Sequence, residues 1–195
     1  MKLSLTLAAL VLAGSVSAQS NWKLDASHSN VTFTVTHLLV SEVDGRFTSF
    51  DSKLVADVND FSTARVETAI KSASVNTDNT KRDEHLRSDD FFNAEQFPEI
   101  KFVSTSFKKV GENKYKVIGN LTIRDVTKQV ELDVKFNGTI KDPWGNNKVA
   151  FKATGEINRF DFNLKWNKLI ESGGAVVGET VGITINAAYV EEKKS

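Results

Sequence analysis

The chain has 195 residues, with 25 basic and 25 acidic side chains and a formal net charge of +0. That balance supplies no long-range pull toward nucleic acid or an anionic membrane surface. The absence of cysteine excludes disulfides, thiol catalysis, cysteine zinc sites and covalent haem attachment.

The first eighteen residues, MKLSLTLAALVLAGSVSA, read as a cleavable secretory signal: Lys2 precedes an apolar run from Leu3 to Leu12, and Val16 and Ala18 stand three and one positions before a cut after Ala18. The run is too short to span a bilayer, and no cysteine follows it to accept a lipid. Residues 19–195 are expected to form one domain with a sizeable core. No stable membrane anchor is expected, and a homodimer is compatible with the sequence.

Along the domain the dominant pattern is period-two alternation, which puts every second side chain on one face of a strand. Eight runs show it: Asn30–Leu38, Val43–Ala56, Ala64–Val75, Glu99–Lys108, Lys114–Arg124, Lys128–Asn137, Asn147–Asn158 and Glu179–Val190. Gly111-Glu112-Asn113 and Asp142-Pro143-Trp144-Gly145-Asn146 read as hairpin connections, and Asp125-Val126-Thr127 separates two further runs. Between residues 76 and 98 the alternation stops. Thr80 and Asp83 there have capping-box spacing, so a short helix is expected, and Ser88-Asp89-Asp90 can cap a following turn that carries Phe91 and Phe92. A second irregular piece runs from Arg159 to Gly178.

Eight antiparallel strands with one apolar face each can close into a barrel or stack as a sandwich, and periodicity does not choose between them. The more apolar parity gives an inward set rich in small residues, among them Thr68, Ser72, Ser74, Ser104, Ser106, Gly119, Ala153, Gly155 and Ala187. Interiors pack to a density near about 0.74, so these positions either face bulky partners or leave space. An eight-stranded barrel can hold one small ligand. The 13 phenylalanines can equally plug the gaps.

Several separated motifs resemble the YceI-like family of exported polyisoprenoid-binding proteins. They are Trp22-Lys23-Leu24-Asp25 with His28-Ser29, Val31 to His37, Gly45-Arg46-Phe47, Asn76-Thr77, Arg82-Asp83, His85-Leu86, Phe91-Phe92 and Phe97-Pro98. Ile100 to Ser104, Gly119 to Ile123, Val126-Thr127-Lys128 and Asn158-Arg159-Phe160-Asp161-Phe162 complete the series. Asn163 stands where a glycine usually follows the Asp-Phe pair, and Asn93 where aspartate is common; asparagine tolerates the left-handed backbone that such a glycine would adopt. The resemblance implies an all-β, eight-stranded antiparallel lipocalin-like barrel with short helices in its connections. It also implies an apolar tunnel holding an isoprenoid, such as a quinone or polyprenyl phosphate, as ligand with no cofactor or metal. Carriage or sequestration is implied, with no reaction. Together with the leader it places the expected site of action in the periplasm.

The expected tail-binding side chains follow from the inward parity and the motifs. From the strands come Phe33, Val35, Phe47, Ile70, Phe102, Gly119, Leu121, Ile123, Phe136, Phe151, Ala153 and Ile183, and from the irregular pieces Phe91, Phe92, Phe162, Leu164 and Trp166. The expected head-group residues are His37, Asn76, Arg82 and His85. For His37 a satisfied histidine at the barrel rim fits equally, and His28 is expected to tie down a strand edge. Asp83 and Arg87 can pair at i, i+4, and Arg159 with Asp161 reads as a buried pair locking the irregular loop. Enzyme readings lack support. No His-Glu-x-x-His, Gly-x-Ser-x-Gly or phosphate-cradling loop is present, and His28 and His37 are nine apart on an extended segment. The alternative of another class is an envelope-stress or structural protein with a packed core that acts through its surface; a hydrolase or isomerase would need a convergent polar set.

Overall fold

The alternating runs become strands of a single antiparallel sheet in the computed structural model, which describes residues 19–168 and 174–193. The secretory leader read at residues 1–18 lies outside the described residues. In chain order the strands are β1 (Ser20–Leu24), β2 (Asn30–His37), β3 (Ser41–Phe47), β4 (Phe50–Asp57), β5 (Asp60–Lys71) and β6 (Val75–Asn76). After the helix α1 (Thr80–Arg87) come β7 (Glu99–Gly111), β8 (Lys114–Ile123), β9 (Val126–Lys141), β10 (Asn147–Asn158) and β11 (Val177–Glu191).

These eleven segments make an eight-stranded barrel because three of its strands are kinked. Strands β1 and β2 lie end to end along β11, Leu24 opposite Tyr189 and Asn30 opposite Asn186, with the 3-10 turn Ala26–His28 as the kink. Strands β3 and β4 run along β2 and β1 in the same way, and β5 with β6 along β4 and β3. The run Val43–Ala56 is thus one barrel strand bent at Thr48-Ser49, while β1 is a segment that alternation did not reveal. Pairing of β1 with both β4 and β11 closes the barrel. Asp25 clamps this seam. It accepts from Ser27 Oγ at 2.7 Å, Lys148 Nζ at 2.9 Å and His28 Nδ1 at 3.0 Å, and these contacts hold its carboxyl well below the usual carboxylate range.

The inward parity holds along most strands, with a correction in β7. A bulge between Ser104 and Ser106 inserts one residue, so Ser104 and Phe107 are buried while Ser106 is exposed. One end of the barrel is plugged by aromatics: Phe61 lies 5.8 Å from Tyr115, 5.0 Å from Phe136 and 5.3 Å from Phe151, centroid to centroid, with Trp22 and Phe107 in the same core.

The α1 cap sits one residue earlier than its capping-box spacing predicts. Asn79 Oδ1 accepts from the Arg82 amide at 3.1 Å, while the buried Asp83 carboxylate accepts from the Thr77 amide at 2.8 Å and the Thr77 hydroxyl at 2.6 Å. Ser88 turns its hydroxyl back to the His85 carbonyl at 2.7 Å. Arg87 does not pair with Asp83. It donates to the carbonyls of Ala73 (2.7 Å) and Val75 (2.8 Å), fastening the helix to the strand beside it. Asn163 adopts φ +60°, the left-handed turn that its glycine-like position requires.

Candidate functional site

Toward the other end the barrel encloses a cavity of about 160 Å³. Period-two alternation aims Val31, Phe33 and Val35 of β2, Ile100 and Phe102 of β7, Leu121 and Ile123 of β8, and Val181, Ile183 and Ile185 of β11 into it. Phe47, Thr68, Ile70, Val130, Leu132 and Ile157 complete the strand wall, and Leu86, Phe91, Phe92 and Leu164 from the irregular segments cover it. A second void of about 80 Å³ lies toward the aromatic plug and shares Thr68, Phe102, Leu132 and Ile185 with the first, so Phe102 borders both. An apolar cavity of about 150 Å³ holds a benzene-sized molecule and stays dry, which sets the scale of the larger space.

Three polar residues border the larger cavity, Thr32, Thr68 and Arg159, of which Thr32 stands on the opposite parity of β2 from Val31 and Phe33. Thr32 donates to the Thr184 carbonyl at 3.0 Å, and Thr68 sits 2.8 Å from the Ser52 hydroxyl, which is 2.8 Å from the Tyr189 hydroxyl. Burial pushes the Tyr189 phenol up to about 12, so it stays neutral. Arg159 is 2% exposed and lies over the Phe160 ring at 4.4 Å. It donates from Nε to Gly178 O (2.8 Å), from Nη1 to Leu164 O (2.5 Å) and Trp166 O (2.8 Å), and from Nη2 to Val177 O (3.1 Å). The expected pair with Asp161 does not form; Asp161 is exposed, and desolvation lowers the Arg159 pKa from its ordinary value.

Of the expected tail residues, Phe33, Val35, Phe47, Ile70, Phe91, Phe92, Phe102, Leu121, Ile123, Leu164 and Ile183 line the cavity. Phe151 and Ala153 line the smaller void, and Phe136 belongs to the aromatic plug. Phe162, 1% exposed, packs behind the wall, and Trp166 lies outside it, edge-on to His85 at 4.9 Å. Gly119 does not line either space: a Cβ there would run into the Phe102 ring and come within 2.7 Å of the Val103 carbonyl. Parity reports which face a residue occupies but not its depth along the barrel, and depth divides these groups. Val31, Ile100, Val130 and Ile185 were legible as inward positions, whereas Leu86 and Arg159, on irregular segments, carried no such signal.

The expected head-group residues do not converge on the cavity. His85 Nε2 sits 2.8 Å from Asp90 on the outer side of Phe91, Asn76 Oδ1 accepts from the Asp78 amide at 3.1 Å, and His37 ends β2 at the rim beside Val177. Arg82 donates from Nε to Thr77 Oγ1 at 2.7 Å and from Nη2 to Thr77 O at 2.8 Å. It therefore braces the loop entering α1. Arg82→Ala is expected to lower the melting temperature by about 2–8 °C, from about 1–2 kcal/mol of lost hydrogen bonding, with ligand affinity within twofold of wild type. Thermal melts and a binding titration on the same variant check this; a tenfold loss of affinity with an unchanged melt would assign Arg82 to the ligand instead. Among the described residues no three His, Cys, Asp or Glu side chains converge as metal ligands.

Comparison with known proteins agrees with this architecture. A UPF0312 protein of Staphylococcus aureus (strain MSSA476) is 39% identical over 171 residues, covering 87% of this chain and 97% of that protein. Among solved structures, Campylobacter jejuni YCEI protein matches with a TM-score of 0.66 at 30% identity, over 82% of this chain and 90% of that one. Burkholderia cenocepacia BcnA has the same fold, with a TM-score of 0.75 at 22% identity over 85% and 98% of the two chains. So does a polyisoprenoid binding domain from Saccharophagus degradans, with a TM-score of 0.64 at 17% identity over 88% and 98%. The family model for the YceI-like domain matches residues 22–189, nearly the whole barrel, and the chain belongs to the YceI-like family.

Proposed function

We propose that this protein binds the hydrocarbon tail of an amphipathic isoprenoid lipid inside its barrel and carries or sequesters it without chemical change. The observation that carries this reading is the cavity itself, whose wall is aliphatic and aromatic apart from two hydrogen-bonded threonines and one arginine. Such a wall suits hydrocarbon: burial gains about 0.8 kcal/mol per methylene. The polyisoprenoid binding domain of Saccharophagus degradans, with the same fold, supports the isoprenoid class. A quinone or polyprenyl phosphate head would find its polar contact at Arg159, whose Nη2 makes one bond to Val177 and keeps a second N–H. A tail longer than the 160 Å³ space requires wall side chains to part, with the void beyond Phe102 as further room. Export through the leader and action in the periplasm belong to the same proposal.

The test is mass spectrometry of organic extracts from natively purified protein, compared with Val130→Phe, which puts a ring in place of an isopropyl group on the cavity wall. Wild type is expected to yield about one long-chain lipid per barrel, and the folded variant at most a tenth of that, with a stability cost of about 1–3 kcal/mol from overpacking. Wild-type extracts free of lipid, or a folded variant loaded as fully as wild type, would overturn the proposal.

A further inference from the structure

The hairpin joining β2 to β3 ends in Leu38, Leu39 and Val40, which are 40%, 60% and 89% exposed. Its geometry makes that exposure unusual. Leu38 and Leu39 have φ of +52° and +66°, and the Val40 amide donates to the His37 carbonyl at 3.3 Å, a tight turn with positive φ at both central residues inside the three-residue loop left by the pairing of His37 with Ser41. Positive φ at both central positions favours Asn-Gly, and a branched aliphatic side chain is strained there. The turn therefore presents leucines where the backbone disfavours them and leaves them partly open to water.

The position of the turn supplies a reason. His37 pairs with Val177 and the Leu38 amide donates to the Val176 carbonyl at 2.9 Å, while Val35 and Val177 line the cavity. The apolar tip is thus continuous with the cavity wall, one turn beyond its edge. Charge narrows the choice of partner. Strand β3 carries Glu42 and Asp44, both exposed, while on the other side of the tip the exposed Lys168 accepts at its carbonyl from the Val176 amide at 2.8 Å, so the charges around the tip are mixed. A mixed set of this kind gives no net pull toward an anionic surface, so the surface that fits three aliphatic side chains is an uncharged apolar boundary.

We infer that Leu38, Leu39 and Val40 dip into the acyl boundary of a zwitterionic bilayer and hold the cavity end of the barrel against it, so that a lipid passes between membrane and cavity without crossing water. This rests on the lipid-binding reading above. The bilayer is preferred to a second copy of the chain because three side chains on one hairpin tip form a narrow probe rather than a broad face.

The test uses the double variant Leu38→Asn, Leu39→Gly, which restores the residues that the turn favours. Phosphatidylcholine vesicles are the membrane probe, and geranylgeraniol the ligand probe, supplied either in vesicles or from ethanol. The variant is expected to melt several degrees higher than wild type, to lose at least tenfold in vesicle co-sedimentation and to take up geranylgeraniol from vesicles at least tenfold more slowly. Uptake from ethanol should be unchanged. Replacing part of the phosphatidylcholine with phosphatidylglycerol should not strengthen wild-type binding. A lower melting temperature would make the leucines structural, through the contact of Leu39 with Gly174, and would overturn the inference. Equal vesicle binding by the two proteins would also overturn it, as would loss of a wild-type dimer on sedimentation with no vesicle binding by either. Failure of both proteins to take up geranylgeraniol from ethanol would instead count against the lipid-binding reading, which the vesicle sedimentation does not depend on.

Discussion

Arg159→Met is expected to lower the melting temperature by about 10 °C. The guanidinium serves four carbonyls, those of Leu164, Trp166, Val177 and Gly178, on segments that have little sheet pairing to fall back on. Each charge-assisted hydrogen bond is worth about 1.5–3 kcal/mol, and relief of the buried charge offsets part of the sum, leaving a net loss of about 3–5 kcal/mol. At about 2–4 °C per kcal/mol for a domain of this size, that gives the stated shift. Lysine keeps the charge but has no planar fork, so Arg159→Lys should fall between wild type and Met. Differential scanning calorimetry of the three proteins decides the matter. A drop under 2 °C for Met would mean that the carbonyls find other donors, and that the arginine is not what holds Leu164 and Val177 in the wall.

Gly45→Ala is expected to cut lipid loading at least tenfold while lowering stability by about 1–3 kcal/mol. Gly45 lies directly across the β2–β3 ladder from Phe33, and a Cβ there would meet three atoms of the Phe33 ring. The ring already forms part of the cavity wall, so its displacement consumes cavity volume. Gly119→Ala offers the contrast. Its Cβ meets the Phe102 ring and also the Val103 carbonyl, a backbone atom that cannot swing aside, so the larger share of the effect should appear in the melt. Lipid content per folded protein, measured with the melting temperature for both variants, separates the two behaviours. Full loading of Gly45→Ala would show that Phe33 moves along the wall rather than into the space.

The period-two pattern made the barrel legible because a half-buried strand must alternate, and the strands from β7 to β11 fall where alternation puts them. Three things escaped it, each for a physical reason. Strand β1 spans five residues, too few for a period to show. The bulge at Ser104 to Ser106 resets parity without changing composition, which is how Ser106 came to be assigned inward. Barrel depth has no one-dimensional signature, so Phe136 and Phe102 read alike although one plugs the far end and the other lines the cavity. In the candidate site, the motif around Arg82 was visible but not the direction of its side chain, and Arg82 turned back to Thr77. Leu38 and Leu39 escaped notice for the opposite reason: leucine is not a turn residue, and only the dihedral angles reveal the turn.

The seam between β1 and β11 bears on when this protein can fold. Strand β11, 15 residues long, pairs with β10 beside it in sequence but also with β1 and β2, so Leu24 meets Tyr189 and Val31 meets Ile185 across almost the whole length of the chain. Pairings of such sequence separation carry a large loop-closure entropy, and topologies built on them fold slowly, in milliseconds to seconds. A nascent chain has no partner for its first two strands along this edge until β11 has been made. Barrel closure therefore waits until β11 has been synthesised, however early β1 and β2 emerge.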